Sequence, residues 1–249
     1  MPGGPAAGAA AAGAGTGSRP PGVASPGGGG RRFSVTRSGV PPRRPAGPLR
    51  AVLFDLDGVL ADTFDVWCAV LDRCRRRRGL PPLGPDRVRE VWGQGLRADC
   101  ETLFPGESPA RLAREYEEAF VEEAGRVRPV PGAEAALLAC RKAGRVTGVV
   151  TNSPAGMAEA VLRELRFRPM VDVLATGDEV LRGKPDPALL FVAVARAGVN
   201  PGEAALVGDT PLDIAAARAA GVLAVGYRVP GDITVDELAR LPDRLGLPR

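Results

Sequence analysis

The sequence predicts an α/β protein: an open, doubly wound parallel sheet interrupted by an all-helical segment. Three observations carry that expectation. Five short apolar runs each end in polar residues, helical stretches lie between them, and one long interval, about residues 63–130, holds no strand-like run. Brief runs with weak alternation suit strands covered on both faces, and the helices between them supply the crossovers that parallel pairing needs.

The first expected strand is Ala51-Val-Leu-Phe-Asp-Leu-Asp57, and the others are Arg145–Thr151, Val171–Thr176, Ala204–Asp209 and Val222–Val225. Helices are expected over Ala133–Ala143, Ala155–Leu165, Pro187–Ala197 and Pro211–Ala220; three of them stop before Gly144, Gly198 or Gly221, residues suited to a left-handed cap. In the long interval, Val66, Trp67, Val70, Leu71 and Cys74 follow helical spacing, as do Leu112, Tyr116 and Phe120. Helical segments near 63–78, 86–102 and 109–124 therefore form an insertion with its own small bundle. The expected organisation is a Gly/Pro/Arg-rich extension over 1–49, a core from 50–62 and 132–249, and the insertion over 63–131.

Charge divides along the same lines. The chain of 249 residues is formally +4, yet its first 50 residues hold seven arginines and no acid, leaving 26 basic against 29 acidic groups in the rest. The basic balance belongs to the extension, so nothing in the body's composition points to nucleic acid. Thirteen glycines and nine prolines in residues 1–49 cannot bury enough apolar surface to offset chain entropy, so this segment is expected to be disordered. A passive extension, a transit peptide and a polyanion-binding arm are all compatible with it. Cys68, Cys74, Cys100 and Cys140 show no C-x-x-C spacing and read as thiols in a reducing, cytoplasmic setting. No apolar run approaches the ~18–20 residues of a membrane span. The absence of histidine excludes Ser-His-Asp triads and H-E-x-x-H zinc sites.

In open parallel sheets ligands bind beyond the carboxyl ends of the strands. The residues there are Asp55 and Asp57, then Thr151-Asn152-Ser153, then Asp209 with Asp213. Four carboxylates converging on one crevice repel unless a cation joins them, and with oxygen ligands and no histidine Mg²⁺ is the natural candidate. Thr151-Asn-Ser-Pro154 and Gly208-Asp-Thr-Pro211 each place polar cap candidates before a proline, so free N–H groups of a helix start face the crevice. Only two lysines occur, and Lys184, in Gly183-Lys-Pro-Asp-Pro187, stands in a loop where it supplies a compact positive charge to a phosphoryl oxygen and a nucleophilic carboxylate. Carboxylates, a divalent cation and helix N-termini together suit a phosphate ester.

In these residues the chain resembles the haloacid dehalogenase superfamily of aspartate-nucleophile phosphohydrolases. The family's four motifs match, in order, Asp55-Leu-Asp-Gly-Val-Leu60, Val150-Thr-Asn-Ser153, Gly183-Lys-Pro-Asp-Pro187 and Gly208-Asp-Thr-Pro-Leu-Asp213, within residues 51–226. The resemblance implies a Rossmann-like core with a helical cap, as in the subgroup of phosphoglycolate phosphatases and β-phosphoglucomutases. It implies that Asp55 attacks phosphorus, that Asp57 protonates the leaving oxygen and then activates water, and that Asp55, the Asp57 carbonyl, Asp209 and Asp213 serve Mg²⁺. Thr151, Asn152 and Lys184 would hold the phosphoryl oxygens. Asp57 speaks against a dehalogenase, whose leaving group needs no proton. Where the resembling mutases place a histidine this chain has Trp67, which favours a hydrolase over a sugar phosphomutase. Val91-Trp-Gly-Gln-Gly-Leu-Arg97 resembles the Trp-x-Gly-Asn-Gly cap segment of phosphoglycolate phosphatases, so Gly93, Gly95 and Arg97 are substrate-binding candidates, Arg97 for a carboxylate or second phosphate. The partner so implied is a small phosphorylated metabolite: phosphoglycolate first, a biosynthetic sugar phosphate as the alternative.

Overall fold

A computed structural model describes residues 47–248, so the expectations for residues 1–46 lie outside the described residues. Leu49, which composition assigns to the extension, is buried against the core. A window dominated by glycine and proline hides one leucine with a place to pack.

In chain order the elements are β1 (Ala51–Phe54), β2 (Ala61–Asp62), α1 (Phe64–Arg76), α2 (Pro85–Glu90), α3 (Leu96–Thr102), α4 (Pro109–Glu123), β3 (Arg128–Pro129), α5 (Ala133–Lys142) and β4 (Val146–Val150). There follow α6 (Ala155–Glu164), β5 (Val173–Ala175), α7 (Ala188–Ala197), β6 (Ala204–Gly208), α8 (Pro211–Ala220), β7 (Leu223–Tyr227), β8 (Ile233–Val235) and α9 (Leu241–Arg244). The main sheet runs β5-β4-β1-β6-β7-β8 with every neighbouring pair parallel. Ala51 aligns with Val146 on one side and with Ala204 on the other.

β1 is buried on both faces, and its alternate residues separate two apolar layers. Ala51 and Leu53 pack with Leu189, Leu190, Ile214 and Ala217 of α7 and α8. Val52 and Phe54 belong to the other cluster, with Leu137 of α5, Met157 and Leu162 of α6, and side chains of the helical insertion. Gly198 and Gly221 close α7 and α8 in the left-handed conformation, as the sequence predicts. The doubly wound sheet is present.

Three features differ from expectation. The segment 86–102 is not one helix but two, α2 and α3, because Gly93 and Gly95 both take positive φ in the loop between them. A sixth strand, β8, extends the sheet edge; at three residues it carries too little alternation to show in the sequence. The two-residue strands β2 and β3 pair antiparallel where the chain enters and leaves the insertion, with Asp62 opposite Arg128. All four cysteines are free. Burial pushes the Cys74 thiol up to about 11 and Cys140 to about 12, so neither is a ready nucleophile. Among the described residues no helix is long and apolar enough to cross a membrane.

Candidate active site

The strand order reverses at β1, whose neighbours β4 and β6 lead to opposite halves of the sheet. At such a switch point the flanking loops part and leave a crevice. The residues after β1, β4 and β6 meet there, and a cavity of about 60 Å³ is lined by Asp55, Asp57, Thr151, Asn152 and Lys184 from the core and by Gly93 and Gly95 from the insertion.

Lys184 is 4% exposed, and its three ammonium hydrogens have three acceptors: Asp55 Oδ1 at 2.8 Å, Asp213 Oδ1 at 2.6 Å and the Val150 carbonyl at 2.9 Å. Burial disfavours its charge, but the Asp213 and Asp55 carboxylates outweigh that and hold the ammonium above its ordinary value. Its loop is held by Asn152, whose side chain accepts from the Lys184 N–H at 2.8 Å and donates to the Lys184 carbonyl at 2.9 Å. The same amide donates to the Gly93 carbonyl at 2.8 Å, so one side chain joins the core, the lysine loop and the insertion. Gly95 lies close by with φ 83°, and a Cβ there would stand 3.2 Å from Asn152 Cβ. A side chain would be strained twice over.

Asp55 Oδ1 also accepts from the Leu56 N–H at 2.7 Å. Burial, then the charge of Asp213, pushes its carboxyl well above the usual range, against the pull of Lys184. Asp209 behaves alike: burial and Asp213 raise it to about 7, and its Oδ1 is buried without a hydrogen-bond partner among the described residues. One oxygen each from Asp55, Asp209 and Asp213 lies within 4.8 Å of the others. Gly58 makes this approach feasible, since a Cβ there would fall 2.1 Å from Asp209 Oδ2. An orphaned buried oxygen within an all-oxygen set of surplus negative charge fits a hard divalent cation. Asp213 is differently placed. Its Oδ2 accepts from Thr210 N–H at 3.1 Å and Thr210 Oγ at 2.5 Å in a capping box that starts α8, so both its oxygens are engaged by protein donors.

Asp57 is held by residues that sequence reasoning did not assign to it. Thr63 Oγ1 at 2.6 Å and Trp67 Nε1 at 3.0 Å donate to Oδ1, and Ser153 Oγ at 2.6 Å donates to Oδ2. Thr63 stands at the start of α1 but makes no side-chain cap bond, because its hydroxyl turns to Asp57 instead. A good cap residue that fails to cap is visible only in the structure. Trp67, assigned by its spacing to the core of the insertion, lines the cavity as well. Thr151 is buried, and its Oγ1 accepts from the Ser153 N–H at 3.0 Å.

Arg97 is not brought together with these residues. In α3 the inward positions are Leu96, Asp99 and Cys100, and Arg97, one residue on from Leu96, points about 100° away. It is exposed, donates through Nε to the Leu181 carbonyl at 3.0 Å, and lines a neighbouring groove of about 520 Å³. Asp99 takes the place inside the cavity that the sequence offered to Arg97. A polar residue at an inward position between Leu96 and Cys100 was the available signal.

A doubly wound sheet with acids and one buried lysine at its switch point, and a cavity lined by both core and helical insertion, defines the class of an α/β enzyme. The chain belongs to the haloacid dehalogenase-like hydrolases, whose family profile matches residues 52–227. It is 36% identical to an N-acetylmuramic acid 6-phosphate phosphatase of Pseudomonas aeruginosa over 72% of this chain and 82% of that one. It is likewise 36% identical to a phosphoglycolate phosphatase of Xanthomonas campestris, over 74% and 86% respectively. Among solved structures, CbbY of Rhodobacter sphaeroides in complex with phosphate shares the fold with a TM-score of 0.71 at 23% identity, covering 80% of this chain and all of that one.

Proposed function

We propose that the protein hydrolyses a small phosphate monoester, with Asp55 as nucleophile and Asp57 as acid and base. Residues 50–62 and 132–249 form the catalytic core and 63–131 the cap. The observation that carries this reading is the Asp55–Lys184–Asp213 arrangement beside the unsatisfied Asp209 oxygen. The relatives' names, one a sugar phosphate phosphatase and one a phosphoglycolate phosphatase, support the class and leave two substrate types to compare.

Asp55 and Asp209 would hold Mg²⁺ directly with the Asp57 backbone carbonyl, and Asp213, its oxygens already engaged, would act beyond the first ligands. The ion's contribution is to offset the negative charge that a phosphate ester brings to a site already rich in carboxylates. An Asp55 oxygen forms a bond to phosphorus as the bond to the leaving oxygen breaks, and Asp57 gives that oxygen its proton. Asp57 then takes a proton from water, which attacks the aspartyl-phosphate and frees phosphate and Asp55. Thr151 Oγ and the Asn152 N–H receive phosphoryl oxygens. Lys184, with its three hydrogens engaged, acts through its charge beside Asp55.

The test is phosphate release from a panel of monoesters. Activity sensitive to EDTA is expected, with Asp55→Asn lowering kcat about 10³-fold or more and leaving the circular dichroism spectrum intact. Release that survives Asp55→Asn would overturn the assignment.

A further inference from the structure

The cap end of the cavity has a chemistry of its own. Resting on the phosphatase reading, we propose that the ester's alcohol portion presents hydroxyl groups to Asp99 and Gln94 and carries no negative charge at that end. Asp99 is 8% exposed yet lines the same cavity as Asp55 and Asp57. Its carboxylate accepts from Gln94 Nε2 at 2.7 Å and from the Tyr116 hydroxyl at 2.9 Å, and no cation pairs with it among the described residues. Gln94 gives its second amide hydrogen to Thr102 Oγ1 at 2.9 Å, which fixes the amide and leaves Oε1 without a donor among the described residues. Tyr116 gives its hydroxyl hydrogen to Asp99. Asp99, Gln94 and Tyr116 therefore offer lone pairs to a ligand and have no polar hydrogen left to give it.

Among the described residues no cationic side chain compensates a negative charge beside Asp99. Arg97 faces the neighbouring groove, and Lys184, the one cation among the described residues that line the cavity, lies at the core end with its hydrogens engaged. A carboxylate or second phosphate placed beside Asp99 meets a like charge in surroundings that screen it poorly. A hydroxyl there finds acceptors already oriented. Val88, Val91 and Trp92 supply apolar wall for the carbon skeleton that carries it. Asp99 also ties α3 to Tyr116 of α4, but a buried, cation-free carboxylate is a costly link between two helices, where a neutral amide would serve. Facing a donor ligand accounts for the charge.

The experiment compares kcat/KM for four two-carbon esters on the full chain with Mg²⁺ at neutral to mildly alkaline pH: 2-hydroxyethyl phosphate, phosphoglycolate, 2-aminoethyl phosphate and ethyl phosphate. The wild type is expected to prefer 2-hydroxyethyl phosphate to phosphoglycolate by about tenfold or more. Asp99→Asn should lower both the hydroxyethyl-to-glycolate and the hydroxyethyl-to-ethyl ratios by about fivefold, ratios that a general loss of folded enzyme does not move. Gln94→Leu, which removes the free acceptor, should lower the second ratio if Asp99→Asn folds poorly. Preference for phosphoglycolate or for the amine in the wild type overturns the proposal. So do ratios unchanged in both variants. No phosphate release from any of the four overturns the phosphatase reading itself, whereas release with the wrong preference overturns this inference alone.

Discussion

Of the three groups that donate to Asp57, two are hydroxyls, from Thr63 and Ser153, and can turn to accept when the carboxyl carries a proton. The third, the Trp67 indole N–H, can only donate. It fixes Oδ1 as the accepting oxygen and leaves the proton to Oδ2. Trp67→Phe keeps an aromatic edge against Tyr116, whose ring lies 5.2 Å from Trp67, but removes the donor. We expect kcat to fall about tenfold with KM little changed, the cost of one hydrogen bond to a charged group; steady-state kinetics on one ester checks it, and an unchanged kcat would show the bond to be incidental. At this scale Asp55, Asp57 and Asp209 were legible at the ends of short apolar runs, Asp213 by its spacing from Asp209, and Lys184 as one of only two lysines, set in the Gly183-Lys-Pro-Asp-Pro187 loop. Trp67 and Asp99 were not. Their roles depend on partners brought in by the fold, Trp67 reaching Asp57 across the start of the cap and Asp99 meeting a tyrosine on another helix.

Among elements, α3 shows how one inward polar residue bears on stability. Burial pushes the Asp99 carboxyl up from 3.8 to about 6, although its bonds from Gln94 and Tyr116 lower it. In the unfolded chain it ionises at its ordinary value, so between about pH 4 and 6 the folded form binds the proton more strongly. Stability from this group is present at the acid end and lost as pH rises through about 6. Asparagine cannot ionise, so Asp99→Asn should gain about 2 kcal/mol relative to wild type between pH 4.5 and 7.5. Urea unfolding at the two pH values measures it; parallel shifts would mean that Asp99 is not buried as described. The larger helices and five of the strands were legible from periodicity and from glycine caps. The break between α2 and α3 was legible only in part: periodicity ran one helical segment over 86–102 while the two glycines read as a loop, and positive φ at Gly93 and Gly95 decides for the loop.

For the whole molecule, a cation held as proposed by the acids at the strand ends would make folding and its binding parts of one equilibrium. An ion that binds the folded form and not the unfolded one adds about 2.7 kcal/mol at a hundred times its Kd. Mg²⁺ should therefore raise the melting temperature of the wild type, and Asp209→Asn should abolish the rise; differential scanning calorimetry with and without EDTA reads both. The rise should shrink as pH falls below about 7, where Asp209 gains a proton that the ion must displace. Protein that melts alike with and without Mg²⁺ would argue against a cation at these carboxylates. The sequence showed that an insertion interrupts the sheet but gave no sign of the short pair β2 and β3 through which the chain crosses twice, two residues in each strand being too few to make a pattern. Because both crossings lie side by side, the chain joins the insertion to the core covalently at one place only. What else holds the insertion to the core is non-covalent, including the Asn152 bond to the Gly93 carbonyl and the Arg97 bond to the Leu181 carbonyl, so closure over the crevice rests on a few side chains and not on the chain itself.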